Sequence, residues 1–238
     1  MLDKKFFDNY FNTIYSVSNK FTKKQFANMK KFYDLNYGPH IPDNKNIKIL
    51  DMGCGTGHFI KYLEDKGYNN ILGIDISKEQ VEYCKKNISS NIVQIDVFEY
   101  LKNVNEEYDL IVANDLIEHI DKEKILDFIM LVYKSLKSSG IFLLKCPNMS
   151  NPFSLNIRYK DFTHEIGFTE TSLYQVLKLC NFKKIEIYGS AITKSNLKDV
   201  FVNVLVKFFY FIIKKLYWWQ GYNSPQILSP LLIAKSIK

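Results

Sequence analysis

Arginine is almost missing from this chain. Of its 32 basic residues only Arg158 is arginine, and the rest are lysine. That disfavours a nucleic-acid groove, where bases stack on aromatics and guanidiniums along a positive track. Cysteine is sparse as well. Cys54, Cys84, Cys146 and Cys180 lie far apart with no CxxC pair, which speaks against a zinc ribbon or a disulfide framework. The richest apolar stretch, residues 200–219, is broken by Lys207, Lys214 and Lys215, whereas a spanning helix needs about 20 mostly apolar residues. The opening MLDKKFFDNYFNTIYS has neither a continuous apolar core nor a small-residue cleavage site, so no signal peptide is expected. A cytoplasmic setting follows. Internal repeats and low-complexity linkers are also lacking.

What is present suits one globular unit. The 238 residues are 47% hydrophobic and 24% charged, ordinary values for a chain with a sizeable core. The net charge of +7 is unevenly spread. Residues 1–48 carry nine Lys against four acids, and residues 183–238 nine Lys against two; the middle holds 14 basic and 19 acidic residues. The basic excess belongs to the flanks, and the centre is acidic.

From Ile47 short apolar runs alternate with helical stretches. Runs suited to buried strands are 47–50, 70–75, 91–96, 108–114 and 140–146, with helices expected at 57–67, 77–88, 98–103 and 121–137. A helix at 169–180, a strand near 184–189, an apolar helix at 197–219 and a last strand near 227–236 follow. Alternation of this kind implies right-handed βαβ units and a parallel sheet covered on both faces. The expected fold is α/β: a Rossmann-like, seven-stranded, mostly parallel sheet whose last strand is antiparallel. One domain over 1–238 would comprise a helical cap (1–45), the core (46–190), an apolar helical insertion (191–226) and the final strand (227–238). Phe7, Tyr10, Phe11, Ile14 and Tyr15 recur at near-helical spacing in the cap.

The sharpest signal is ILDMGCGTGHF, residues 49–59. A buried strand ends in Asp51, and Gly53, Gly55 and Gly57 alternate before a helix. Glycines there permit a tight turn and close approach to a ligand at the switch point of an open sheet. The dinucleotide fingerprint needs glycine where this chain has His58, so a nicotinamide cofactor is the weaker reading. Asp75, 24 residues after Asp51, ends the second strand and suits two ribose hydroxyls. Asp96, at the third strand end, can meet an adenine amino group, with Ile76 and Val97 flanking the ring.

These strand-end motifs, with YDLIVAND at the fourth strand, resemble those of the class I S-adenosylmethionine-dependent methyltransferases over about residues 47–190. The resemblance implies S-adenosyl-L-methionine as cofactor and S-adenosyl-L-homocysteine as product. It makes Asp51, Gly53, Gly55, Gly57, Asp75, Ile76, Asp96, Val97 and Asn114 the cofactor-binding set. Farther on, a DIEH-like element (NDLIEHI, 114–120), Pro-Asn after the fifth strand and the segment from Arg158 to Glu165 resemble a subgroup associated with polysaccharide and surface-glycan biosynthesis. That points to O-methylation of a sugar or sugar-linked group. Arg158, Tyr159, Asp161 and Glu165 become acceptor contacts, and His164 or His119 the base that takes the proton. For Arg158 a structural salt bridge to Asp161 or Glu165 is the equal alternative. His40 and His58 are read as structural.

Two other acceptors remain open. Asp115-x-x-Glu118-His119 with a distant His164 resembles the metal-ligand set of metal-dependent small-RNA 2′-O-methyltransferases. A divalent metal held by Asp115, Glu118, His119 and His164 is thus an option, though not the favoured one. The Ile-Glu-His-Ile element also occurs in methyltransferases of quinone-type phenols. The helix at 197–219 is expected to pack over the sheet or at a homodimer interface. Its alternative is an interfacial helix over residues 200–219, lying on the inner, anionic face of a membrane with Trp218 and Trp219 at headgroup depth. Phe32, Tyr33 and Tyr37 are expected to cap the cofactor.

Overall fold

The computed structural model describes residues 22–191 and 197–238. The helical reading of residues 3–21 falls outside them. After helix α1 (Lys23–Asn36), strands and helices alternate: β1 (Ile49–Met52), α2 (His58–Asp65), β2 (Ile71–Asp75), α3 (Lys78–Asn87), β3 (Ile92–Gln94), α4 (Val97–Leu101) and β4 (Tyr108–Asn114). A 3₁₀ turn (Ile117–His119) follows, then α5 (Ile125–Ser135), β5 (Leu136–Pro147), α6 (Ser154–Lys160), α7 (Glu170–Leu179), β6 (Lys184–Gly189), α8 (Leu197–Trp219) and β7 (Leu231–Ile237).

The seven strands form one sheet in the order β3-β2-β1-β4-β5-β7-β6. The first five are parallel, and β7 runs antiparallel to both β5 and β6. The order reverses between β1 and β4, so a crevice opens beyond their carboxyl ends, where open α/β sheets hold ligands. β1 is buried along its whole length, as expected of a central parallel strand covered on both faces. One face carries a core around Met52, Ile111, Phe128, Phe142 and Phe182; the other centres on Tyr33, Tyr37, Phe59, Tyr62 and Leu143.

Local chemistry sets the helix starts. Ser77 and Thr169 cap α3 and α7 with their hydroxyls, and Asp96 caps α4 by accepting from the amides of Phe98 and Glu99. Gly57 begins α2 at φ 79°, a left-handed conformation that costs other residues.

Element ends shift by up to four residues, with β5 beginning at Leu136 inside the helix expected at 121–137 and β7 at Leu231 instead of 227, and two elements depart further from the sequence expectation. Helix α6 was not foreseen, because Asn151-Pro152 and the mixed polarity of 154–160 give no helical apolar period. Helix α8 forms over the foreseen residues but does not pack over the sheet. Its inward side presents Tyr210, which meets Asn151 at 3.3 Å, and Lys214, which donates to the Gln226 carbonyl at 2.9 Å. Its aromatic side faces outward, with Phe201, Phe208, Trp218 and Trp219 at 62–73% exposure. Among the described residues, no helix is long and apolar enough to cross a membrane.

Candidate active site

The loops at the carboxyl ends of β1, β2 and β4, with the residues that follow β3 and β5, enclose a cavity of about 650 Å³. Its cofactor side holds Asp51, Gly53, Gly55, Asp75, Ile76, Asp96, Val97 and Asn114. Gly57 stands behind them at the helix start, where a Cβ would come within 2.3 Å of Cys84 Sγ. Asp75 ties the wall together: one carboxylate oxygen accepts from the Gly55 amide and the other from the Ser77 amide, both at 2.8 Å. Burial raises its pKa, and these amides oppose the rise.

Asp51 is the unusual member. It is 1% exposed, and among the described residues neither carboxylate oxygen has a hydrogen-bond partner. Burial, reinforced by the Asp75 charge, pushes its pKa up to about 8. A buried acid left in this way calls for a cationic partner, and S-adenosylmethionine carries both an ammonium and a sulfonium. The donor set therefore fits that cofactor: Asp51 for positive charge, Asp75 for ribose hydroxyls, Asp96 and the apolar pair Ile76 and Val97 for adenine. Asn114 is held by Tyr37, whose hydroxyl donates to its side-chain oxygen. Tyr33 also lines the wall, while Phe32 lies against Lys145, 5.9 Å from its ammonium.

On the opposite side the 3₁₀ turn Ile117–His119 and the loop after α6 come together. The rings of His119 and His164 lie 4.8 Å apart, and ligand atoms of Glu118, His119 and His164 all fall within 4.8 Å of one another. His119 Nδ1 sits 2.9 Å from Thr163 Oγ1, which lies 2.7 Å from Asp161 Oδ1. The Thr163 carbonyl, 3.3 Å from the same nitrogen, can only accept, which assigns the proton to Nδ1 and leaves Nε2 as the basic nitrogen. Burial and the neighbouring His164 push the His119 pKa down to about 4. His164 is lowered too, first by burial and then by Arg158, against the pull of Asp161. Glu118 is 2% exposed, its Oε2 has no hydrogen-bond partner among the described residues, and burial, aided by Asp115, holds its carboxyl well above the usual range.

Several site expectations change in position. Asp115 does not join Glu118 and the histidines. It adopts a left-handed φ of 51° and pairs with Lys145, so residues 115 and 118 do not share a helical face. Three of the four expected metal ligands therefore converge. Arg158 makes neither a salt bridge to Asp161 or Glu165 nor a contact with the cavity. It donates to the backbone carbonyls of His164 and Glu165, the latter at 2.9 Å, and so clamps the loop that carries His164. Tyr159 stacks beside that guanidinium and points outward, whereas Asp161 and Glu165 line the cavity. His58, read as structural, forms part of the cavity wall and bonds Thr56 Oγ1 at 2.9 Å. Lys145 and Thr163 were missed as site residues. The signal for Lys145 was a lone charge inside the apolar run GIFLLKC.

The sequence profile of the family described as "Methyltransferase domain" matches residues 21–187, over two thirds of the chain. The chain belongs to that family. S-adenosyl-L-methionine is its methyl donor. Among curated relatives, the carboxy-S-adenosyl-L-methionine synthase of Nautilia profundicola is 29% identical over 190 residues, 66% of this chain and 80% of that protein. The ubiquinone biosynthesis O-methyltransferase of Rickettsia canadensis is 29% identical over 155 residues, 63% of this chain and 62% of the other. The cyclopropane-fatty-acyl-phospholipid synthase of Escherichia coli K12 is 30% identical over 98 residues, and this chain spans only a quarter of its length. A solved S-adenosylmethionine-dependent methyltransferase from Archaeoglobus fulgidus superposes with a TM-score of 0.64 at 21% identity, covering 98% of this chain and 99% of that one. At that identity it shows the fold: the seven-stranded methyltransferase sheet with its antiparallel β7.

Proposed function

We propose that this methyltransferase domain O-methylates a small hydroxylated acceptor, a sugar or sugar-linked group, with His119 as the base and His164 beside it. The observation that carries the reading is the His119–Thr163–Asp161 chain opening onto the same cavity as the three cofactor acids. Bound there, S-adenosylmethionine supplies an electrophilic methyl on a sulfonium. The protein's own work is to place an acceptor hydroxyl in line with that methyl and to receive its proton. Asp161 fixes Thr163, Thr163 fixes the imidazole, and His119 Nε2 is presented to the acceptor oxygen.

The acceptor half supports a polyhydroxyl ligand. Glu118, Asp121, Lys124, Lys160, Asp161 and Glu165 line it with carboxylates and ammoniums that can hydrogen-bond hydroxyls. Relatives named as O-methyltransferases of ubiquinone biosynthesis and of malonyl-[acyl-carrier protein] favour oxygen as the acceptor atom. His119→Gln and His164→Gln should each lower the turnover number about 10²–10⁴-fold while calorimetric S-adenosylmethionine binding is retained. Unchanged turnover in both variants sinks the reading.

A second reading rests on the convergence of Glu118, His119 and His164. One carboxylate and two imidazoles in reach of one another suit a divalent ion, which would orient and acidify the acceptor hydroxyl. Activity that survives exhaustive EDTA treatment rules it out; activity restored only by added Mg²⁺, Mn²⁺ or Zn²⁺ displaces the simple base.

A further inference from the structure

Helix α8 turns its apolar face away from the protein. Phe201, Val204, Phe208, Phe211 and Trp218 lie on one side of it, all more than half exposed, while Tyr210 and Lys214 meet the body. A soluble surface helix has the opposite orientation. From Phe201 to Trp218 the helix presents this face along about 26 Å. Isolated apolar side chains on a surface need no explanation, but a continuous aromatic face marks a site of contact.

Charge indicates what is contacted. From Val200 to Lys238 there are five lysines and no acidic residue, and Ser150–Lys160 adds Arg158 and Lys160, again with no acid. Lys207 borders the outward face and Lys215 stands within it, its ammonium 5.6 Å from the Phe211 ring and 5.7 Å from Trp218. Lysines whose stems run along apolar surface, with tryptophans at one end, match the interface of a bilayer. A second copy of this chain would bring like charges together across the contact, whereas an anionic surface would neutralise them.

The patch also reaches the cavity. Phe153, next to α6, stacks on Phe209 of α8 at 5.6 Å. Helix α6 then exposes Leu155 and Tyr159 outward and lends Ile157 and Lys160 to the cavity wall. We infer that α8 and the exposed side of α6 seat the protein on an anionic membrane surface, so that the acceptor side of the cavity opens at the lipid headgroups. The inference concerns where the site sits, and it stands whichever acceptor is methylated.

Flotation of the full chain with phosphatidylcholine vesicles, with and without phosphatidylglycerol, tests it without any methyl-transfer readout. The wild-type protein should float with the anionic vesicles and far less with the neutral ones. Phe208→Glu with Phe211→Glu should weaken binding at least tenfold, and Lys207→Gln with Lys215→Gln roughly tenfold. Calorimetric S-adenosylmethionine binding should be unchanged in both, showing that the variants are folded. Absence of flotation, or flotation indifferent to the Phe208/Phe211 change, overturns the inference. So does a concentration-dependent dimer in sedimentation that the Phe208/Phe211 change abolishes, since a second copy would then cover the face.

Discussion

His119 and Asp51 have opposite electrostatic problems, and each yields a pH signature. The His119 pKa of about 4 lies below its ordinary 6.5, so the folded protein binds fewer protons than the unfolded chain between those values. Stability therefore falls as pH drops through that window and is unaffected by this group above it. As a base, His119 stays unprotonated through neutral pH. The turnover profile should show no acid limb near 6.5, and a limb found there would move the role to another group. Asp51 runs the other way. Its pKa of about 8 lies above its ordinary 3.8, so the folded state binds the extra proton and its stability declines as pH rises between the two. Asp51→Asn should therefore stabilise the ligand-free protein at pH 8 by roughly 1–3 kcal/mol, with the gain vanishing toward pH 4, in thermal melts across pH. The same change should weaken S-adenosylmethionine binding if the Asp51 carboxylate, as its burial suggests, meets the cofactor's positive charge. Wild-type affinity should rise with pH up to about 8, as Asp51 gives up its proton on binding.

Elements were more legible than side-chain partners. Strands 108–114 and 184–189 match the sequence reading residue for residue, and α3 and α7 fall within one or two residues of it. Buried apolar runs and capping residues are local facts that a sequence displays. The three strand-end acids and the glycines were legible for the same reason, since each sits at a fixed offset from a strand. Arg158 was not, because its partners are backbone carbonyls six and seven residues on, which no side-chain pattern announces. Nor was the orientation of α8, where Tyr210 and Lys214, polar residues that predict a wet face, instead meet the protein. At this scale Gly57 is the most exacting position. Gly57→Ala meets both a positive φ and Cys84 Sγ at 2.3 Å. It should cost at least about 2 kcal/mol in denaturant unfolding and impair cofactor binding together, whereas Gly67→Ala, with open space at the same kind of φ, should cost only about 1 kcal/mol.

Over the whole molecule the charge of +7 resolves into an acidic catalytic middle and basic flanks. Asp51, Asp75, Asp96, Glu118 and Asp161 of the middle line the cavity; of the C-terminal lysines, Lys207 and Lys215 stand exposed on α8, while Lys214 turns to the Gln226 carbonyl and Lys238 to Glu106. β6 joins the sheet only through β7, which is the last strand in sequence and lies between β5 and β6. During synthesis β3, β2, β1, β4 and β5 can assemble in turn, while β6 has nothing to pair with until residues 231–237 leave the ribosome. The nascent chain thus carries an unpaired strand and an open β5 edge through the emergence of the long apolar helix α8. Chains arrested at residue 230 should show β6 cleaved by protease while β1 to β5 resist. Completion of this fold is a single late event, a strand closing between two that were made long before it.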